Sequence, residues 1–112
     1  MKSISTHVLD ISRGRPAAEV PVTLEKKNGQ AYASIFAGNT DGDGRVKNLV
    51  PEGHLEAGLY RLTFATGVYF RTQDVEAFYP EATVVFEVRD AEAHYHVPLL
   101  LSPFGYSTYR GS

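Results

Sequence analysis

The stretch His94-Tyr95-His96-Val97-Pro98-Leu99-Leu100-Leu101 decides the fold. Side chains of a strand point alternately to its two faces. Tyr95, Val97, Leu99 and Leu101 therefore share one face, which suits a core. His94, His96, Pro98 and Leu100 share the other, which is too apolar to lie against water. Residues 4–11 repeat the pattern, with Ile4, Thr6 and Val8 on one side and His7, Leu9 and Ile11 on the other. The outer face of a small antiparallel sandwich is normally polar, and an apolar one is normally covered by another subunit. An oligomer with histidines facing the interface is expected.

Outward from these strands, short alternating segments recur between turn signals, as in a β-sandwich. Residues 21–27 alternate Val22 and Leu24 with Thr23 and Glu25, Asn28-Gly29 makes a hairpin turn, and 31–37 return. Residues 12–16 read as a turn and 39–44 as a loop rich in Gly and Asp, leading into a strand at 45–49. Residues 58–65 form another strand, whose continuation over 67–70 bends at Gly67. Residues 74–79 are the helix candidate, capped by Asp74 and stopped by Pro80. Strands at 83–88, 93–101 and 105–111 complete eight strands and one short helix, an all-β sandwich.

The 112 residues form a single domain, 1–112, on ordinary domain sizes. A hydrophobic fraction of 43% with 21% charged residues is that of a globular chain. The net charge of −2 and scattered Lys and Arg provide no basic field, so nucleic-acid binding is not expected. Without cysteine there is no disulfide, no thiolate-bound zinc and no thiol nucleophile. No apolar run spans a bilayer, so no membrane partner is expected. The opening MKSISTHVLD lacks a secretory or transit pattern, and a cytoplasmic location is expected.

Three groups of residues could do chemistry. His7, His94 and His96 are imidazoles suited to moving protons near neutral pH. The i, i+2 spacing of His94 and His96 also occurs in metal sites, for which His7 or His54 would supply a third ligand. Asp41-Gly42-Asp43-Gly44-Arg45 half-resembles a calcium loop, but position 6 is Val46, and Arg45 occupies position 5. A turn presenting Arg45 fits those residues better. The terminal Tyr109-Arg110-Gly111-Ser112 reads as surface unless the preceding strand holds it in place. No phosphate-binding glycine loop or nucleophile-elbow motif is present.

Thr6-His7-Val8-Leu9-Asp10 followed by Gly14-Arg15-Pro16-Ala17 resembles the opening of the transthyretin-like 5-hydroxyisourate hydrolases. The run from His94 to Pro103 is similar to their penultimate strand, and Tyr109-Arg110-Gly111-Ser112 to their terminal tetrapeptide. Gly44-Arg45 and Tyr79-Pro80-Glu81 match in order and spacing, so the resemblance covers essentially the whole chain. It implies a prealbumin-like eight-stranded sandwich assembled as a homotetramer, a dimer of dimers with active sites in the clefts between dimers. The implied activity opens 5-hydroxyisourate to 2-oxo-4-hydroxy-4-carboxy-5-ureidoimidazoline, with neither metal nor other cofactor. The catalytic residues it implies fall on His7, Arg45 and His96; Tyr109, Arg110, Gly111 and Ser112 complete the substrate pocket. His94 is left without a role. A non-enzymatic transthyretin-like carrier of small aromatic ligands is the alternative; transthyretin has lysine for His7, an acidic residue for Arg45 and threonine for His96.

Overall fold

The computed structural model describes residues 2–112; Met1, the first residue of the expected 1–112 domain, lies outside the described residues. Two sheets face each other. One contains β1 (Ser3–Asp10), β2 (Arg15–Pro16), β5 (Arg45–Val46), β8 (His94–Ser102) and β9 (Gly105–Thr108). Its order is β2-β1-β8-β9, with β5 also pairing β1. The other contains β3 (Pro21–Asn28), β4 (Ala31–Asn39), β6 (Gly58–Phe64) and β7 (Ala82–Val88), in the order β4-β3-β6-β7. The all-β sandwich expected from the alternation is the architecture found.

The core lies between the sheets. Ile4 and Val8 of β1 and Leu99 and Leu101 of β8 meet Val22, Leu24, Leu62 and Phe64 from the opposite sheet, all buried. Those of β1 and β8 are residues assigned to the inner face by the period of two. β1 and β8 run parallel, unlike the other pairs, with Ser3 beside His94, Ser5 beside His96 and His7 beside Pro98. The two strands whose outer faces looked too apolar for water are therefore neighbours. Their unusual side chains form one surface.

The helix is not where the sequence placed it. α1 spans Thr66–Thr72, and Asp74, expected to start a helix at 74–79, has φ 57° just beyond its end. α1 has no side-chain cap at Ala65 and no acidic residue in its first turn, so it carries none of the usual start signals. Residues 67–70 resemble a strand by their β-branched and aromatic content. However, Tyr69 and Phe70 are consecutive and both buried, which a strand with one buried face cannot achieve. Gly67 fixes the helix start: its N–H donates to the Pro80 carbonyl at 2.9 Å, and a Cβ there would press on the Pro80 backbone. Tyr69 donates to the fully buried Asp10 carboxylate at 2.7 Å, and burial beside that carboxylate pushes its hydroxyl pKa up to about 12.

Other differences are small. The expected turn at 12–16 contains the two-residue strand β2, giving nine strands rather than eight. The strand expected at 45–49 stops at Val46, and the one expected at 105–111 stops at Thr108. Among the described residues no helix is long and apolar enough to cross a membrane.

Candidate functional site

Loop 40–44 places Arg45. The Asp41 carboxylate accepts from the backbone N–H of Asp43 and of Arg45, both at 2.9 Å, and these bonds hold it below the usual carboxylate pKa. An acidic oxygen occupied in this way builds a turn, so the half-match to a calcium loop is the turn that presents Arg45. Gly44 makes it possible. Its φ is +75°, its carbonyl accepts from Val8 N–H at 2.7 Å, and any Cβ would collide with the Val8 carbonyl. The turn thereby docks on β1 and puts Arg45 directly across from His7.

His7 is half-buried on the outer face, and its Nε2 lies 2.8 Å from the Asp43 carbonyl oxygen. A carbonyl only accepts, so Nε2 carries the proton and Nδ1 is the bare nitrogen of neutral His7. One residue pair along, His96 turns Nδ1 to the Ser5 hydroxyl at 2.7 Å. His94 stacks alongside, with ring centroids 6.4 Å apart. Burial first, and then the neighbouring His94, Arg45 and His7, push the His96 pKa below the ordinary 6.5. At neutral pH His96 is an uncharged imidazole able to take a proton.

Arg45, His94 and His96 border an open recess of about 440 Å³, lined also by Ser5, Lys47 and Ser112 among others, with His7 across the strand pair from Arg45. His54, a possible third metal ligand on sequence, instead binds the Glu52 carbonyl in its own loop. Among the described residues no three His, Asp or Glu side chains gather as a metal site.

The terminal residues divide between two places. Gly111 N–H donates to the His96 carbonyl at 2.8 Å, and Cβ at Gly111 would run into the His96 ring. Ser112 then borders the histidine recess. Tyr109 and Arg110 instead line a smaller recess of about 150 Å³ with Val84, Phe86 and Tyr95, where the Arg110 guanidinium lies 4.5 Å from the centre of the Tyr95 ring. The break in the strand has a local cause. The pairings Leu99 with Thr108 and His96 with Gly111 put Pro98 opposite Tyr109, and proline has no N–H for that rung of the ladder.

The structure thus brings together His7, Arg45, His94, His96 and Ser112, and sets Tyr109 and Arg110 apart in the single chain. Sequence reasoning missed Ser3, Ser5 and Lys47. Ser3-x-Ser5-x-His7 does carry a signal, since all three share the outer face of β1.

The HIUase/Transthyretin family model matches residues 4–111. The chain belongs to this family. Within it, the 5-hydroxyisourate hydrolase of Salmonella typhimurium is 48% identical over 109 residues, covering 97% of this chain and 80% of the relative. The solved 5-hydroxyisourate hydrolase of Klebsiella pneumoniae superposes with a TM-score of 0.89 at 37% identity, covering all of both chains. Sea bream transthyretin solved with thyroxine gives 0.92 at 34% identity, covering 97% of this chain and 94% of the other. The backbone superposes about as closely on this transthyretin as on the hydrolase, so side chains must separate the two.

Proposed function

We propose that this chain hydrolyses 5-hydroxyisourate to 2-oxo-4-hydroxy-4-carboxy-5-ureidoimidazoline. The observation that carries this reading is His96, its pKa lowered by burial, sharing one recess with Arg45, while His7 lies across the strand pair from Arg45. A carrier would need the recess without proton-transfer groups. Water attacks a ring carbonyl and its proton passes to an imidazole nitrogen, either His96 Nε2 or His7 Nδ1, the ring nitrogens opposite those bonded to Ser5 and Asp43. Negative charge develops on the carbonyl oxygen, where the planar Arg45 fork stabilises it. Collapse breaks the ring C–N bond, and the same ring nitrogen returns the proton to the leaving nitrogen.

Gly111 and Ser112 close the recess beside His96, while Arg110, packed on Tyr95, and Tyr109 hold the tail in register. The working particle in this proposal is a dimer of dimers that covers the outer face of β1 and β8, where Ile11 is 58% exposed in the single chain. A stable, active monomer in light scattering would rule that assembly out. The activity itself is tested by adding the purified chain to urate and urate oxidase and following the hydroxyisourate absorbance. Faster decay, unaffected by EDTA, is expected; decay at the spontaneous rate would refute the assignment.

A further inference from the structure

His96 has one ring nitrogen for the recess, and the other joins a chain of hydroxyls and imidazoles that runs along the recess wall to Ser3. Ser5 Oγ lies 2.7 Å from His96 Nδ1 and 3.2 Å from His94 Nε2. His94 Nδ1 in turn lies 2.5 Å from Ser3 Oγ. Parallel pairing of β1 with β8 sets this order, because it aligns Ser3 with His94 and Ser5 with His96. Ser5 carries a single hydroxyl proton. It can donate to only one of its two imidazoles, and where it does so it accepts from the other.

Two arrangements keep the Ser5 proton within the chain. In one, His96 Nδ1–H donates to Ser5, Ser5 donates to His94 Nε2, and His94 Nδ1–H donates to Ser3; His96 Nε2 is then bare and basic. In the other, Ser3 donates to His94 Nδ1, His94 Nε2–H donates to Ser5, and Ser5 donates to His96 Nδ1; His96 Nε2 then carries a proton and is an acid. The tautomers of the two histidines are locked together through one oxygen.

We infer that Ser5 and His94 are positioning residues for the proposed hydrolysis, a hydrogen-bonded relay that switches His96 between base and acid within one turnover. This rests on the hydrolase reading above. When water attacks, its proton goes to His96 Nε2. The Nδ1 proton passes to Ser5, the Ser5 proton to His94 Nε2, the His94 Nδ1 proton to Ser3, and the Ser3 proton to solvent. Ser3 borders a separate recess of about 530 Å³ that provides the outlet. His96 is then neutral with its proton on Nε2, placed to protonate the leaving nitrogen, and the reverse shift restores the start. No net proton is gained or lost, and His96 need not hold a positive charge against Arg45, Lys47, His7 and His94 around it. His7 offers no such switch, since the Asp43 carbonyl fixes its tautomer.

The test compares wild-type protein with Ser5→Ala, Ser5→Thr and His94→Phe. Ser5→Ala and His94→Phe should lower kcat about 10-fold or more, with KM within about twofold, because the loss falls on proton transfer rather than binding. Ser5→Thr, which keeps a hydroxyl, should recover most of the rate. In mixed light and heavy water the wild-type rate should curve with deuterium fraction, as several protons move, and the Ser5→Ala rate should vary linearly. Nitrogen-15 spectra of labelled protein without substrate should show His94 and His96 tautomer populations changing together in wild type and independently in Ser5→Ala. A folded Ser5→Ala protein with wild-type kcat and a curved isotope response overturns the relay. If Ser5→Ala does not fold, His94→Phe at its half-buried position decides by the same measurements. If wild-type protein leaves hydroxyisourate decay unchanged, the hydrolase reading falls, while the nitrogen spectra still decide whether the two rings are coupled.

Discussion

The two sheets of this sandwich use their outer faces in opposite ways. On the β3–β6 side Glu25 meets Arg61 at 2.8 Å, and the Arg61 guanidinium lies 3.9 Å from the centre of the Tyr32 ring. Each charge stabilises the other, lowering the Glu25 pKa and raising that of Arg61. On the β1–β8 side the cross-strand pairs are hydroxyl with imidazole, Ser3 with His94 and Ser5 with His96. There burial keeps His96 uncharged. Fixed opposite charges suit a solvated wall, whereas neutral groups that exchange protons suit chemistry. The same pleat supports both.

The contrast is broken most severely at the tail. Deleting residues 109–112 should abolish hydrolysis while the oligomer persists, with initial rates on fresh substrate and size exclusion as the two measurements. The deletion removes the Gly111 bond to His96 and the exposed Arg110 side chain from the edge of the core at Tyr95, and leaves the core residues in place. Next come His96→Asn and Arg45→Glu, each expected to reduce kcat/KM by about 10²-fold or more with little change in melting temperature. Gly44→Ala acts through structure: a positive φ and a collision with β1 should cost about 2 kcal/mol or more in urea unfolding, and displace Arg45.

Acidity provides a gentler probe. Because the folded His96 pKa lies below 6.5, the acid-side fall of kcat/KM should have its midpoint below that pH. The same sign governs stability. The unfolded chain binds this proton near pH 6.5, the folded chain only at lower pH, so the His96 contribution to stability is lost as pH falls through that window. Smallest of all should be Arg61→Ala on the opposite face, which ought to leave turnover at the wild-type rate. A large loss there would show that the two faces are not functionally separate.

Legibility in the sequence followed the locality of the signal. The turn at Asp41–Arg45 could be read because its bonds join residues at most four apart. The inner and outer faces of β1 and β8 could be read because alternation is local. The helix could not, since α1 owes its position to Gly67 against Pro80 and to Tyr69 bound to Asp10, contacts that no cap residue announces. The serines escaped for the same reason: a serine near the start of a chain is unremarked until the parallel register sets it against a histidine 91 positions away. The site residues implied by the resemblance were within reach, but their partners were not.

That parallel pairing also has a consequence for the protein's life history. Ser5 and His96 lie 91 positions apart, with Arg45 between them, so the site exists only after long loops have closed. Long-range pairing of this sort slows folding. During synthesis the emerging chain can form its β3–β4 hairpin early, but it holds no assembled site until its last strands have docked. Partly made chains and fragments are thereby silent, and catalytic activity in a preparation counts only molecules whose two ends have found each other.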